Sequence, residues 1–177
     1  MMQIRDQWPM EDRIEASHAI TQKCLKLAIS QKAIISAYWP MNSEVDCRDI
    51  CHGMLRRGHT VSLPVVEKKD APLIFRAWHP QNLMKVTALN IKVPMEDAPL
   101  VEPDCLFVPM LGFDRKLFRL GYGGGFYDRT LSALRARKNI KAIGIAFSIQ
   151  ELENIPTELF DAQLDMIITE KEEIKLG

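Results

Sequence analysis

The sequence predicts an α/β fold in which a mostly parallel sheet carries helices on both faces. Three observations point there. Short apolar runs alternate along the chain with segments of helical periodicity, the pattern left by parallel strands and crossover helices. Proline and glycine mark the boundaries, at Pro9, Pro40, Gly58 and Pro109. A chain of 177 residues, 47% of them hydrophobic, suffices for one domain with a substantial core.

The elements follow in order. Pro9, with Glu11 and Asp12 behind it, opens a helix with acids in its first turn. Ile20, Cys24 and Leu27 continue it at helical spacing, giving a helix over 10–30. The apolar run 33–39 reads as a buried strand that ends at Pro40. Ser43 begins an S-E-V-D capping box, which predicts a helix running to about Arg57 and stopped by Gly58. Residues 59–66 and 73–77 read as strands, the second after an exposed K-K-D-A-P turn. Four prolines and mixed polarity make 79–103 an irregular connection, long enough to cover something. Strands at 104–109, 140–147 and 164–169 and a helix at 126–138 complete the chain.

Composition narrows the function. No apolar run approaches the roughly 18 residues needed to cross a bilayer. The N-terminus lacks the basic start and apolar core of a secretory signal, so a cytoplasmic protein is expected. Residues 114–141 carry eight Lys or Arg against two Asp, and 150–177 carry eight Asp or Glu against two Lys. Most of these charges are expected to neutralise each other in the fold. A net charge of zero argues against a nucleic-acid partner; a small anion held by the basic segment fits better. Cys24, Cys47, Cys51 and Cys105 make no disulfide framework. Cys47 and Cys51 share a helical face with Ile50 and Met54, where free cysteine packs as a small hydrophobe. No second Cys/His pair completes a zinc tetrahedron.

The most informative stretch is 107–131. Gly121, Gly123, Gly124 and Gly125 are four of the chain's nine glycines, packed into five residues between an apolar run and a helical segment. Bare backbone of this kind can wrap a phosphate, with a helix N-terminus behind it. The spacing G-x-G-G-G matches neither common phosphate-loop pattern, so a flexible turn remains an alternative. Arg119 and Arg129 flank the glycines as cations. Asp128 and Asp161 are the carboxylates to pair for Mg²⁺, although Asp161 also reads as a turn residue. Glu44, just after the first strand, could accept from an amide or ring N–H, or be a helix-start carboxylate. Tyr122, Phe126 and Tyr127 offer aromatic surface beside the glycines, or ordinary packing. In parallel sheets ligands bind beyond the carboxyl ends of strands, and the segments after three strands carry these residues.

The run R-L-G-Y-G-G-G-F-Y-D-R resembles the signature of the 5-formyltetrahydrofolate cyclo-ligase family, the methenyltetrahydrofolate synthetases. V-P-M-L-G-F-D upstream, A-Y-W-P-M-N-S-E-V-D at 37–46 and F-D-A-Q-L-D-M-I-I-T-E at 160–170 extend the resemblance from about Arg13 to Glu170. It implies a three-layer α/β/α sandwich over the whole chain and conversion of 5-formyltetrahydrofolate to 5,10-methenyltetrahydrofolate with hydrolysis of ATP. It also implies phosphoryl transfer to the formyl oxygen and attack by N10, with no covalent nucleophile. By residue, it implies an ATP-binding loop of Arg119, Leu120, Gly121, Tyr122, Gly123, Gly124, Gly125, Phe126 and Tyr127, with Arg119, Tyr127 and Asp128 closest to the chemistry. Asp128 and Asp161 would hold Mg²⁺. Trp39 and Glu44 would contact the folate, together with Tyr122, Gly123, Gly124, Gly125 and Phe126. Small molecules are the expected partners, without nucleic acid or membrane, and a monomer is expected.

One departure bears on ATP. Family members carry an N-terminal Lys and Arg that reach the phosphates; here only Arg5 precedes Arg13. By alignment that pair would lie upstream of Met1, so either the chain begins late, another cation substitutes, or ATP binding is weakened. Three readings follow: an active ATP- and Mg²⁺-dependent cyclo-ligase, a relative that binds the folate but turns it over poorly, and another phosphate-ligand enzyme such as a sugar-phosphate isomerase. The last needs a base near the glycines, for which only Asp128 qualifies.

Overall fold

The computed structural model describes residues 2–88 and 90–176. Its helices are α1 (Met2–Gln7), α2 (Met10–Leu25), α3 (Arg48–Arg56) and α4 (Phe126–Arg135). Its strands are β1 (Ile34–Ser36), β2 (Thr60–Val65), β3 (Ile74–Trp78), β4 (Met84–Val86), β5 (Lys92–Pro94) and β6 (Cys105–Val108). They continue with β7 (Gly112–Phe113), β8 (Arg119–Leu120), β9 (Lys141–Ile145), β10 (Met166–Ile168) and β11 (Glu173–Ile174).

Seven strands form one sheet in the order β11-β10-β9-β6-β1-β2-β3. The inner pairs are parallel, with Ile35 opposite both Val61 and Cys105, Phe107 opposite Ile143, and Gly144 opposite Ile167. Only the two outermost strands, β3 and β11, run antiparallel to their neighbours. Side chains alternate between the faces as strand geometry requires. Cys105, Phe107, Ile143, Ile145, Met166 and Ile168 meet Ile20 and Cys24 of α2 and Ile50 and Met54 of α3 on one face. Leu106, Val108, Ala142 and Ile167 meet Leu131 and Leu134 of α4 on the other. The fold is therefore the expected three-layer α/β/α sandwich with a mostly parallel sheet.

Several boundaries differ, each for a local reason. The first long helix ends at Leu25, where the Lys26 N–H turns back to the Lys23 carbonyl and the Leu27 N–H to that of Cys24, although Leu27 still packs on the core. Ser43 does not cap a helix: its hydroxyl joins Asp6 and Arg5. The helix begins instead at Arg48, whose N–H donates to Oδ1 of Asp46 (3.1 Å). The connection 79–103 is more ordered than expected, since β4 and β5 pair within it and Leu100 bridges Arg76 at the sheet's β3 edge. The sequence also gave no sign of α1, of the β7–β8 hairpin, or of β11.

As expected, the four cysteines are free and buried, and burial pushes the Cys105 thiol up to about 12. The two oppositely charged segments pair less than expected: among the described residues only Arg115, with Glu151 and Glu172, and Arg135, with Asp165, form ion pairs between them. Among the described residues no helix is long and apolar enough to cross a membrane.

The β7–β8 hairpin leads into the glycine segment and is pinned by a buried carboxylate. Asp114 accepts from the N–H groups of Lys116 (3.0 Å) and Phe118 (3.1 Å) through Oδ1, and of Ile155 (3.1 Å) through Oδ2. Replacing it strands three backbone donors. Asp114→Ala is expected to destabilise the fold by about 2–4 kcal/mol, read as a lower urea midpoint at unchanged slope.

Candidate active site

The site lies where the chain leaves the carboxyl ends of β1, β6 and β9. After β6, Pro109 has no N–H to extend the ladder, and the chain turns through β7 and β8 into residues 121–125. Gly123 (φ +85°) and Gly125 (φ +60°) adopt left-handed backbone that side chains strain to reach. Gly125 caps α4 without any side-chain bond to its first turn, so that turn's N–H groups stay open toward the glycines. Gly121 is different. Its φ is not positive, and a Cβ there would meet nothing within 4 Å, so the fold itself makes no demand for glycine.

Arg119 and Asp128 do not stand free; they bind each other. Arg119, with 5% of its side chain exposed, donates from Nη2 to Oδ1 of Asp128 (2.5 Å) and from Nη1 to the Ala162 carbonyl (2.7 Å). The same Oδ1 accepts the Ala162 N–H (3.0 Å). The segment carrying Asp161 is thereby stitched to the glycine loop's helix, while Oδ2 of Asp128 takes no hydrogen bond among the described residues. Asp161 is exposed, and among the described residues its Oδ2 accepts only the Glu158 N–H of its own turn (2.8 Å). Arg129 folds back, donating to the Gly124 carbonyl and lying 5.3 Å over the Phe126 ring. Its Nε is buried and unpartnered among the described residues. Leu120, at the end of β8, is exposed.

A second network joins the loop to the segment after β1. Tyr122 donates its hydroxyl proton to Oε1 of Glu44 (2.6 Å), and Oε2 of Glu44 accepts the Met41 N–H (2.9 Å). Arg5, reaching in from α1 and only 2% exposed, donates to the Tyr122 hydroxyl (3.0 Å), the Ser43 hydroxyl (2.9 Å) and the Met110 carbonyl (3.4 Å). Met110 also accepts from Nε2 of buried Gln150 (2.8 Å), and α1 is seated by Trp8 edge-on to Phe147 at 4.9 Å. Burial raises the Glu44 carboxyl above its usual range, opposed by the Tyr122 and Met41 hydrogen bonds and the charge of Arg5. Burial, and then Glu44, push the mostly buried Tyr127 phenol far above its ordinary value.

Trp39 is placed differently. It packs against Trp78 (ring centroids 6.0 Å) and under Lys92 (5.9 Å), with no bond or ring contact to the glycine segment among the described residues. Two cavities open elsewhere, one of about 440 Å³ near 28–33 and 139–141, one of about 570 Å³ between β3 and α4. None of the candidate site residues lines either.

Residues 1–170 match the model of the 5-formyltetrahydrofolate cyclo-ligase family. The chain belongs to the 5-formyltetrahydrofolate cyclo-ligase family. It is accordingly an enzyme of the ligase class. The 5-formyltetrahydrofolate cyclo-ligase of Haemophilus influenzae is 34% identical over 156 residues, 85% of this chain and 83% of that one. The NMR structure of Aquifex aeolicus 5,10-methenyltetrahydrofolate synthetase superposes with a TM-score of 0.82 at 27% identity, covering 98% of this chain and 87% of that one. The Mycoplasma pneumoniae 5,10-methenyltetrahydrofolate synthetase gives 0.75 at 26%, covering 95% and 93%. The family match thus begins at residue 1 rather than near Arg13, and takes in α1 and Arg5.

Sequence reasoning located the glycine loop, Glu44 and Asp128 but missed Arg5, Asp114 and Gln150 as parts of this constellation. The only available signal for Arg5 was its isolation as the one cation before Arg13. The Tyr122–Glu44 bond yields a direct test. Burial and the Glu44 carboxylate hold the Tyr122 phenol up at about 12. The other two tyrosines, Tyr38 and Tyr127, are raised by burial as well. Absorbance titration near 295 nm should therefore show no phenolate forming around pH 10 in the native protein. Removing the negative charge in Glu44→Gln favours the phenolate, so one transition is expected to move to lower pH.

Proposed function

We propose that this cyclo-ligase converts 5-formyltetrahydrofolate to 5,10-methenyltetrahydrofolate at the expense of ATP, at the face formed by the glycine loop, Glu44 and Asp128. The observation that carries the reading is the Tyr122–Glu44 hydrogen bond, which joins residues 78 apart in sequence and makes one site of the two halves such a reaction needs. Gly121 supports it, because open space beside a glycine that the fold does not require suits a ligand that must approach the backbone.

The residues divide the work as follows. The uncapped first turn of α4 and the bare backbone of 121–125 receive the phosphates of ATP, with Leu120, Phe126 and Tyr127 bordering them. Glu44 accepts from an N–H of the folate ring system, and Trp39 and Tyr122 offer aromatic surface to it. Arg119 orients the Asp128 carboxylate. The donor set fits Mg²⁺, a hard cation that takes one or two carboxylates and completes its shell with phosphate oxygens and water. No group of three or more metal-binding side chains exists among the described residues. Asp128 through Oδ2, with Asp161, would hold the ion, which neutralises phosphate charge when bound.

The formyl oxygen attacks the γ-phosphorus and ADP leaves. N10 then attacks the activated formyl carbon, loses its proton to water, and phosphate departs with the oxygen. The protein's part is positioning and charge neutralisation, as phosphoryl transfer requires.

Absorbance in the band of the methenyl product, followed with 5-formyltetrahydrofolate, ATP and Mg²⁺ and with ATP omitted, tests the reaction. Growth that requires ATP is expected; a flat trace overturns the proposal, and folate binding retained in calorimetry would mark a binder without turnover. Asp161→Asn loses one charged ligand and no structural partner beyond its own turn. It should raise the Mg²⁺ concentration for half-maximal rate about 10- to 100-fold at an unchanged melting temperature.

A further inference from the structure

We infer that Arg5 is a positioning residue of this active site, which fixes the Tyr122–Glu44 pair in the orientation that receives the folate. The inference rests on the cyclo-ligase reading above. Arg5 is a guanidinium taken out of water, 2% exposed. Among the described residues no carboxylate oxygen bonds it directly; its partners are two hydroxyls and a carbonyl. A buried cation without a direct ion pair is costly to keep, and stability alone is poorly served by one. Its position explains it. The three partners are Ser43 after β1, Met110 after β6 and Tyr122 in the glycine segment, so one planar fork spans all three.

The direction of the hydrogen bonds gives the mechanism. Arginine can only donate, and a tyrosine hydroxyl has one proton. With Arg5 donating to the Tyr122 oxygen, that single proton is left for Glu44, and the chain Arg5 to Tyr122 to Glu44 is polarised in one sense. Glu44 stays an acceptor facing the ligand. The other ionisable groups around it are Tyr127 on α4 and Tyr38 after β1, both held neutral by burial. Asp6 lies beyond Ser43. Arg5 is therefore the cation that favours ionised Glu44 against burial. Removing it must raise the Glu44 pKa, so the acid limb of folate binding moves to higher pH.

The test compares wild type, Arg5→Met and Arg5→Lys across pH, by turnover and by calorimetric titration with 5-formyltetrahydrofolate alone. In Arg5→Met the KM and Kd for the folate should rise about 10- to 100-fold, more than the KM for ATP, with the acid limb shifted upward. Arg5→Lys keeps the charge without the fork; its acid limb should stay near wild type while its folate KM falls between the two. A folded Arg5→Met with wild-type folate affinity and acid limb overturns the inference, as does one losing activity equally at every pH. If Arg5→Met does not fold, Arg5→Lys decides, and wild-type folate kinetics there overturn it too. A wild type that neither binds nor turns over the folate instead overturns the function reading, and the role of Arg5 with it. An active wild type beside unaffected variants defeats the Arg5 role alone.

Discussion

An ion pair between a buried arginine side chain and a partly exposed aspartate holds the working parts of this molecule together. Arg119 lies at the end of a short hairpin, Asp128 in the first turn of the following helix, and Ala162, which bonds both, in the segment after β9. Withdrawing Asp128 would leave the Arg119 guanidinium, 5% exposed, without its carboxylate. The five residues between hairpin and helix are thus clamped at both ends, and a glycine-rich stretch that would otherwise wander is held to one path. The same clamp leaves the second oxygen of Asp128 available. A carboxylate with one oxygen locked and the other open is well suited to hold a cation in a fixed place.

The second constraint is the parallel sheet. Parallel neighbours need crossovers, so each inner strand delivers its following segment to the same end of the sheet. Glu44 follows β1, Met110 follows β6 and Asp161 follows β9 at that common end, and the β7–β8 hairpin carries Tyr122 there. Only there can Tyr122 meet Glu44 and Arg5 meet Met110. The site is therefore a product of topology before it is a product of any one loop, and the buried Asp114 and Gln150 are what keep the loops seated on the strand ends.

The legible parts of the sequence were those with a local cause. Apolar runs of four to eight residues marked the core strands to within a few residues, and the glycine cluster marked the loop, because backbone freedom is written in the residue itself. Illegible parts had causes elsewhere in the chain. Ser43 looks like a helix cap by spacing, yet its hydroxyl is claimed by Arg5 and Asp6, residues 38 and 37 positions away. The two-residue strands β7, β8 and β11 carry too few side chains for any periodicity to show.

The sequence alone determined the fold class, the layering of its apolar residues and the family, since alternation, helical spacing and a long glycine signature are properties of order along the chain. It also named the glycine loop, Glu44, Arg119 and Asp128 as candidates. Only the tertiary structure decided how those side chains are used: that Arg119 is spent on Asp128, that Trp39 turns to Trp78, that Arg5 is drawn inside. Hydrogen-bond partners are chosen by proximity and desolvation after the strands have paired, and nothing in a residue's neighbours along the chain says which distant oxygen will be the nearest.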